Sequence, residues 1–162
     1  MAATLQLSVQ TGSAGGSATD NVTGIDLISA DNATNSLANR QANPITVGTN
    51  SYEKWVRLKV VTAPANYTQN FKVWGDGGVM VSTTLNFTGA YVTYQQGTTA
   101  TSAISNTTFV NFTAGNKATW DTMSYSITGS YTKYVVFQLQ VDATAGPGNW
   151  TQETISYSYD EA

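Results

Sequence analysis

The sequence predicts an all-β protein: an antiparallel β-sandwich, jelly-roll-like, with about nine or ten strands and no long helix. Apolar and polar residues alternate with a period of two along most of the chain, which is the pattern of strands that bury one face. Clusters of Gly, Ser, Thr and Asn interrupt this alternation at short intervals, as turns do. No clear sequence repeat is present, so we do not expect a propeller or a solenoid.

The N-terminal part combines one strong strand with a long irregular segment. Residues 5–9 alternate strictly and predict a strand, whereas residues 11–19 are rich in Gly, Ser and Ala and predict a flexible loop. Residues 22–28 fit a short strand. The Asn-rich residues 31–43 have no hydrophobic period, which predicts a long loop or arm with at most one helical turn.

The alternation is strongest after residue 52. Residues 52–61 predict a strand with Val56, Leu58 and Val60 on one face. Its other face carries Trp55, Arg57 and Lys59. Further strands are expected at residues 71–74, 79–87, 90–95, 107–112, 120–128, 133–141 and 154–159. Four side chains in the strand at 133–141 are expected to face the core: Val135, Phe137, Leu139 and Val141. We therefore expect one β-sandwich domain over residues 1–162, with 11–43 as a loop-rich or arm-like segment.

The chain lacks the side chains on which most catalysis depends. It has no histidine and no cysteine, which excludes a Ser-His-Asp triad, a Cys nucleophile, zinc-thiolate sites and disulfides. Its ten acidic residues show no pairing signal and lie mostly in predicted loops or strand ends, where solvated acids belong, whereas a glycosidase needs two carboxylates across a cleft. We expect no enzymatic activity, no cofactor and no bound metal.

Charge is sparse. Charged residues make up 10% of the chain, against about 25% in an average protein, and the net charge is −3. A surface rich in Thr, Ser and Asn costs less to bury than one rich in Lys and Glu, which favours a protein that functions in an assembly. We expect no nucleic-acid partner. The sequence shows no secretory signal and no apolar run of membrane-spanning length, so we also expect no membrane association and synthesis in a cytoplasm without secretion.

Two sets of residues are candidates for binding. Four residues form a basic and aromatic group that would contact a partner: Trp55, Arg57, Lys59 and Lys72. The other interpretation of this group is a solvated outer face with lysines that guard a sheet edge. Three tryptophans lie near predicted turns and would stack on a sugar or another ligand: Trp74, Trp120 and Trp150. Their alternative role is to cap the open ends of the core.

Two stretches carry a resemblance to a known group. The first is Asn43-Pro44-Ile45 followed by Trp55-Val56-Arg57-Leu58. The second runs from Tyr134-Val135-Val136-Phe137-Gln138-Leu139-Gln140-Val141, through Ala145-Gly146-Pro147-Gly148, to Glu153-Thr154-Ile155 and Tyr159-Asp160-Glu161. They resemble small all-β virion structural proteins of tailed bacteriophages, of the head decoration or cement type. The resemblance covers roughly the last two-thirds of the chain and brings no catalytic residues with it.

This resemblance implies a capsid decoration (cement) protein that binds the outer surface of the phage head and stabilises it. Its expected partners are the major capsid protein and copies of itself, for example in a trimer, and its expected location is the outer surface of the head. The segment 11–43 would be the arm that orders against a neighbouring subunit. The alternative function is a receptor- or glycan-binding module of a tail fibre or baseplate.

Overall fold

The computed structural model describes residues 1–13, 15–76, 83–100, 107–146 and 153–162. Within these ranges the chain forms eight strands, one short helix and one 3-10 turn, which confirms the all-β class. The strands are β1 (Thr4–Thr11), β2 (Ser17–Asp20), β3 (Lys54–Thr62), β4 (Thr68–Gly75), β5 (Thr83–Tyr91), β6 (Ala118–Asp121), β7 (Tyr134–Val141) and β8 (Ile155–Glu161). The helix α1 spans Leu37–Ala42, and the 3-10 turn spans Phe109–Asn111.

The strands form two antiparallel sheets. The five-stranded sheet has the order β2-β1-β3-β7-β5, and the three-stranded sheet has the order β6-β4-β8. β7 lies inside the larger sheet, and most of its residues are buried on both faces. Its sequence is therefore almost continuously apolar, as expected for a strand that is covered on both sides.

Both sheets contribute to one apolar core. The larger sheet supplies Val9, Val56, Leu58, Leu85, Phe87, Val135, Phe137, Leu139 and Val141, and the smaller supplies Phe71, Val73, Ala118 and Trp120. The four inward positions predicted for β7 are thus confirmed. The ring of Phe109, from the 3-10 turn, lies 5.1 Å from that of Phe137 and 5.5 Å from that of Phe87. Each such side chain contributes roughly 1.5–3 kcal/mol through burial.

The segment predicted as an arm folds onto this same core. Its first part forms β2, which pairs with β1, and four of its later side chains pack against the core: Val22, Ile25, Leu27 and Ala33. The expected strand at residues 22–28 is wrong, since this stretch has no strand pairing. The expected helical turn is confirmed as α1, where the Ser36 Oγ accepts the Asn39 N–H at 3.1 Å as an N-cap. These apolar side chains are partly buried against the core of the same chain.

Three further strand predictions are corrected by tertiary packing. Residues 83–91 form one strand, β5, and its pairing with β7 shifts between Thr88 and Tyr91, so the Thr-Gly pair at 88–89 marks an irregularity and not a turn. Residues 109–111 form a 3-10 turn where a strand is expected at 107–112. The strand expected at 120–128 ends at Asp121. Residues 79–82, 101–106 and 147–148, which the predicted strand and turns include, lie outside the described residues.

β6 ends at Asp121, whose buried carboxylate accepts hydrogen bonds from the residues that follow. Oδ1 accepts the Met123 N–H at 3.0 Å, while Oδ2 accepts the Tyr125 hydroxyl at 2.7 Å and the Lys133 N–H at 2.8 Å. The Lys133 ammonium lies 3.8 Å from Oδ1. Since Asp121 is fully buried, these donors replace the water that a carboxylate otherwise needs. One side chain therefore fixes the course of residues 122–133.

Asp121→Asn is expected to lower the free energy of unfolding by about 3 kcal/mol, because an amide offers one acceptor oxygen where the carboxylate uses two. Urea unfolding measures the change. The control is Asp160→Asn, since Asp160 is exposed and accepts only the Asn70 side-chain amide among the described residues. It should change stability by less than about 0.5 kcal/mol. Equal effects of the two substitutions would contradict the role of Asp121.

Candidate functional site

Trp55, Arg57 and Lys59 share one face of β3, as the alternation predicts, but Trp55 is not available to a partner. It is 0% exposed and belongs to a second apolar cluster on the face of the larger sheet opposite the core, with Tyr134 and Val136. The Trp55 ring lies 5.1 Å from that of Tyr91, 5.5 Å from that of Tyr94 and 5.7 Å from that of Tyr134. The prediction of Trp55 as a contact residue is therefore wrong in this structure, because neighbouring aromatic rings cover it.

Arg57 and Lys59 lie at the margin of this cluster and are already engaged. The Arg57 guanidinium lies 3.7 Å from the centre of the Tyr131 ring and donates to the Gln10 Oε1 at 3.1 Å. Lys59 forms an ion pair with Asp20, and its hydrogen bond to this carboxylate raises the pKa of Lys59. Both cations therefore join β3 to neighbouring elements, and neither is a free positive charge on the surface.

Lys72 lies on the other sheet, together with Trp74. Both are half-buried and point outward from β4, whereas Phe71 and Val73 point into the core. The structure thus separates Lys72 from the rest of its predicted group and brings it next to a tryptophan of the second group. Lys72 and Trp74 share a face because they are two positions apart on one strand.

Strand pairing builds a surface around these two residues. Lys72 is opposite Thr119 on β6 and Ser158 on β8, and Trp74 is opposite Ser156. Lys117, just before β6, places its ammonium 4.2 Å from the centre of the Trp74 ring. We call this surface the Trp74 face; it consists of Lys72, Trp74, Lys117, Thr119, Ser156 and Ser158. The sequence did not reveal Lys117, because its contact with Trp74 depends on pairing between distant strands.

The other two tryptophans do not join this face in the described structure. Trp120 is 0% exposed, and its indole N–H donates to the Lys133 carbonyl at 2.9 Å. The prediction that Trp120 stacks on a ligand is wrong in this structure, since Trp120 is part of the core. Trp150 lies outside the described residues.

A second surface lies where β3 ends and β4 begins. The Val60 carbonyl accepts the Gly129 N–H at 2.8 Å, and Thr68 exchanges two backbone hydrogen bonds with Tyr125, so residues 122–131 run beside both strands. The chain termini are here too: Thr4 pairs with Thr62, and Ala162 exchanges backbone hydrogen bonds with Tyr67. We call this surface the apolar end, after its exposed side chains Met1, Val61, Tyr67, Met123 and Ile127. The sequence pattern missed it because it predicted a strand at 120–128.

The structure also locates acidic and open sites. Three acids are buried, contrary to the expectation of solvated carboxylates: Asp26, Glu53 and Asp121. Across the described ranges, no group of three Asp, Glu, His or Cys side chains comes together as a metal site. Among the described residues, one open polar depression is lined by Thr11, Gly12, Ser13, Gly15, Gly16 and Ser17, and another by Asn50, Thr83, Thr84, Gln140, Val141 and Asp142. None of the helices in the described part has the length and apolar character of a membrane span.

Comparison with known proteins adds no relative to these observations. No protein-family model, curated protein or solved structure matches the chain. The surfaces of the molecule are therefore the basis for assigning its function.

Lys54 is a buried lysine at the start of β3 that bonds this strand to residues 30–32. Its side chain is 1% exposed, and its ammonium donates to the carbonyl oxygens of Ala30 and Asn32 at 2.6 and 2.8 Å. Burial lowers the pKa of Lys54 to about 8, although the nearby carboxylates of Asp31 and Asp26 oppose this shift. The Arg40 guanidinium donates to the Asp26 carboxylate at 2.7 Å, and the Gly12 N–H donates to the Asp31 carboxylate at 2.9 Å.

The free energy of unfolding is expected to rise by up to about 3 kcal/mol between about pH 8 and about pH 10 because of Lys54. In this interval the unfolded chain keeps the lysine protonated, with its ordinary pKa of 10.5, whereas the folded protein has released the proton. At higher pH the trend should reverse, because burial raises the pKa of Tyr94 to about 12, so the unfolded chain loses this phenolic proton first.

Urea unfolding over this pH range measures the effect, with Lys54→Met as the control that removes the titrating group. The variant should show no rise between about pH 8 and about pH 10. A wild-type protein whose stability is flat in this interval, or an equal rise in the variant, would contradict the assignment.

Proposed function

We propose that this protein is a capsid decoration, or cement, protein that binds the outer surface of a bacteriophage head and stabilises the particle. Its partners would be the major capsid protein and further copies of itself, as in a trimer, and its body would be a sandwich of jelly-roll connectivity. The resemblance to phage virion proteins suggests this class. The apolar end is the observation in the structure that supports it best.

The apolar end has five exposed hydrophobic side chains on neighbouring segments of the chain. Nine large hydrophobic side chains are exposed in the described residues, and five of them lie at this end. Ile127 is 69% exposed and Met123 is 52% exposed. Methionine and large aliphatic side chains grouped on a surface are typical of sites that bind another protein, since contact with that partner removes them from water. The apolar end thus supports a role in which the chain is attached to a larger body.

Charge at this end indicates the chemistry of the partner. Asp160 and Glu161 are exposed at its border, and Glu161 accepts the Ala3 N–H at 3.0 Å. An apolar patch with an acidic border fits a partner surface that is apolar and carries Lys or Arg. On a capsid such a surface would be repeated at every equivalent lattice position. Modest contacts can then hold an oligomer firmly, because each further contact forms at high effective concentration.

The second candidate is a receptor- or glycan-binding module of a tail fibre or baseplate. The half-buried Trp74 with the Lys117 ammonium beside its ring favours this function, because indole rings and charged side chains are common in ligand sites. Of the three tryptophans proposed for ligand stacking, Trp74 alone is accessible in the described residues. Location separates the two candidates: many copies over the head support the cement function, and a few copies at the tail support the second.

Substitution of Ile127 and Met123 by Ser is expected to weaken binding to capsids assembled without the protein, roughly tenfold for each side chain. Co-sedimentation with these capsids measures binding. Capsids decorated with the wild-type protein should also survive more heating than bare capsids or capsids mixed with the double variant. The isolated double variant should unfold at the wild-type temperature, since exposed side chains contribute little to stability.

The matched control is Val47→Ser. Val47 is 44% exposed and lies before β3, close to Thr49, whose carbonyl accepts the Val141 N–H at 3.1 Å. It is therefore at the end of β3 opposite to the apolar end, and its substitution should leave binding unchanged. Wild-type binding by the double variant would reject the apolar end as the attachment surface. Heat survival that does not depend on the protein would reject the cement function itself.

A further inference from the structure

The Trp74 face contains the two basic residues that no carboxylate or interior contact engages in the described structure. Of seven basic residues, three form ion pairs, namely Arg40, Lys59 and Lys133. Lys54 is bound to buried carbonyl groups, and Arg57 is bound to Gln10 and the tyrosine rings. Lys72 and Lys117 remain, and both lie on this face, so it concentrates the positive charge that a ligand can reach.

The face is arranged as two rows across the three strands. One row is Thr119, Lys72 and Ser158, and the other is Lys117, Trp74 and Ser156. Neighbouring strands lie about 4.8 Å apart, so each row is about 10 Å wide, and the rows are about 7 Å apart along the strands. The first row thus places Lys72 between two hydroxyl side chains, and the second places Trp74 between Lys117 and Ser156. The indole of Trp74 adds a flat apolar surface in the middle of the second row.

We propose that the Trp74 face binds an acidic polysaccharide, with a sugar ring against the Trp74 indole and sugar carboxylates at Lys72 and Lys117. Hydroxyl groups both donate and accept hydrogen bonds, which matches the sugar hydroxyls. The Lys72 Nζ already donates to the Thr119 Oγ1 at 3.1 Å, which holds it in the first row. Lys117 is exposed, and a cation–π contact at an exposed site is worth only about 0.5–1 kcal/mol, so its ammonium can turn from the ring to a ligand.

The charges around this face favour a polysaccharide over a nucleic acid. Asp76 and Glu153 lie at the end of β4 beyond Trp74, where Glu153 accepts the Asp76 N–H at 3.1 Å. The face thus has two accessible cations, Lys72 and Lys117, with the acidic residues Asp76 and Glu153 nearby. Nucleic-acid surfaces typically neutralise about six or more phosphates. A uronic acid chain carries one carboxylate per sugar and has apolar C–H faces that can lie against the indole.

Isothermal titration calorimetry with the purified protein tests the proposal. Polygalacturonate is the probe, and its methyl ester is the matched control ligand, because it has the same sugar backbone without the charge. The wild-type protein should bind polygalacturonate at least roughly tenfold more tightly than the ester. Trp74→Ala and Lys117→Ala should each weaken binding roughly tenfold, whereas Lys117→Arg should retain it.

Two controls keep the result specific. Lys117→Ala changes an exposed side chain and should unfold like the wild type, so its loss of binding cannot be attributed to misfolding. Tyr67→Ala removes an exposed aromatic ring at the apolar end and should bind polygalacturonate normally. The proposal is overturned by absence of binding, by equal binding of the ester, by wild-type binding of the Trp74 and Lys117 variants, or by tighter binding of single-stranded DNA. The proposed capsid binding would use the residues of the apolar end, so the two proposals can be rejected independently.

Discussion

The apolar end of this protein depends on the buried carboxylate of Asp121. An ionised group without donors is costly to bury, so the three hydrogen bonds to Met123, Tyr125 and Lys133 form together with the folded core. They hold residues 122–131 along the ends of β3 and β4. Met123 and Ile127 are therefore exposed on a chain segment whose course is fixed from within. A binding surface held in this way loses less conformational entropy when a partner docks.

The two sheets differ in how their outward faces are covered. β7 lies between β3 and β5 and is covered on both faces, by the core on one and by the Trp55 cluster on the other. Among the described residues, none forms such a cover over Lys72 and Trp74 on the smaller sheet, and both side chains are half-exposed. Aromatic residues of the two sheets therefore have different roles. Trp55 fills a cluster at the back of the larger sheet, whereas Trp74 remains at a surface.

Period-two alternation predicted what depends on neighbours in sequence. It placed Val56 and Leu58 on one face of β3 and Arg57 and Lys59 on the other. It could not show that the outward face of β3 is covered, because the rings over Trp55 come from residues 91, 94 and 134. Nor could it show Lys117 beside Trp74, since that contact requires the pairing of β4 with β6. Nor could it show that Lys54 is buried, because the carbonyl groups that its ammonium contacts lie more than twenty positions away.

The apolar end and the Trp74 face lie far enough apart to act at the same time. Tyr67 precedes β4 and Trp74 lies near its other end, seven residues later, which corresponds to roughly 20 Å along the strand. Their chemistry also differs: one surface is apolar with an acidic border, and the other carries two lysines and hydroxyl groups. A partner suited to one is poorly suited to the other, since each would leave charges or apolar groups unmatched. A protein fixed to a particle by its apolar end would therefore keep the Trp74 face open, so attachment and glycan binding would not compete.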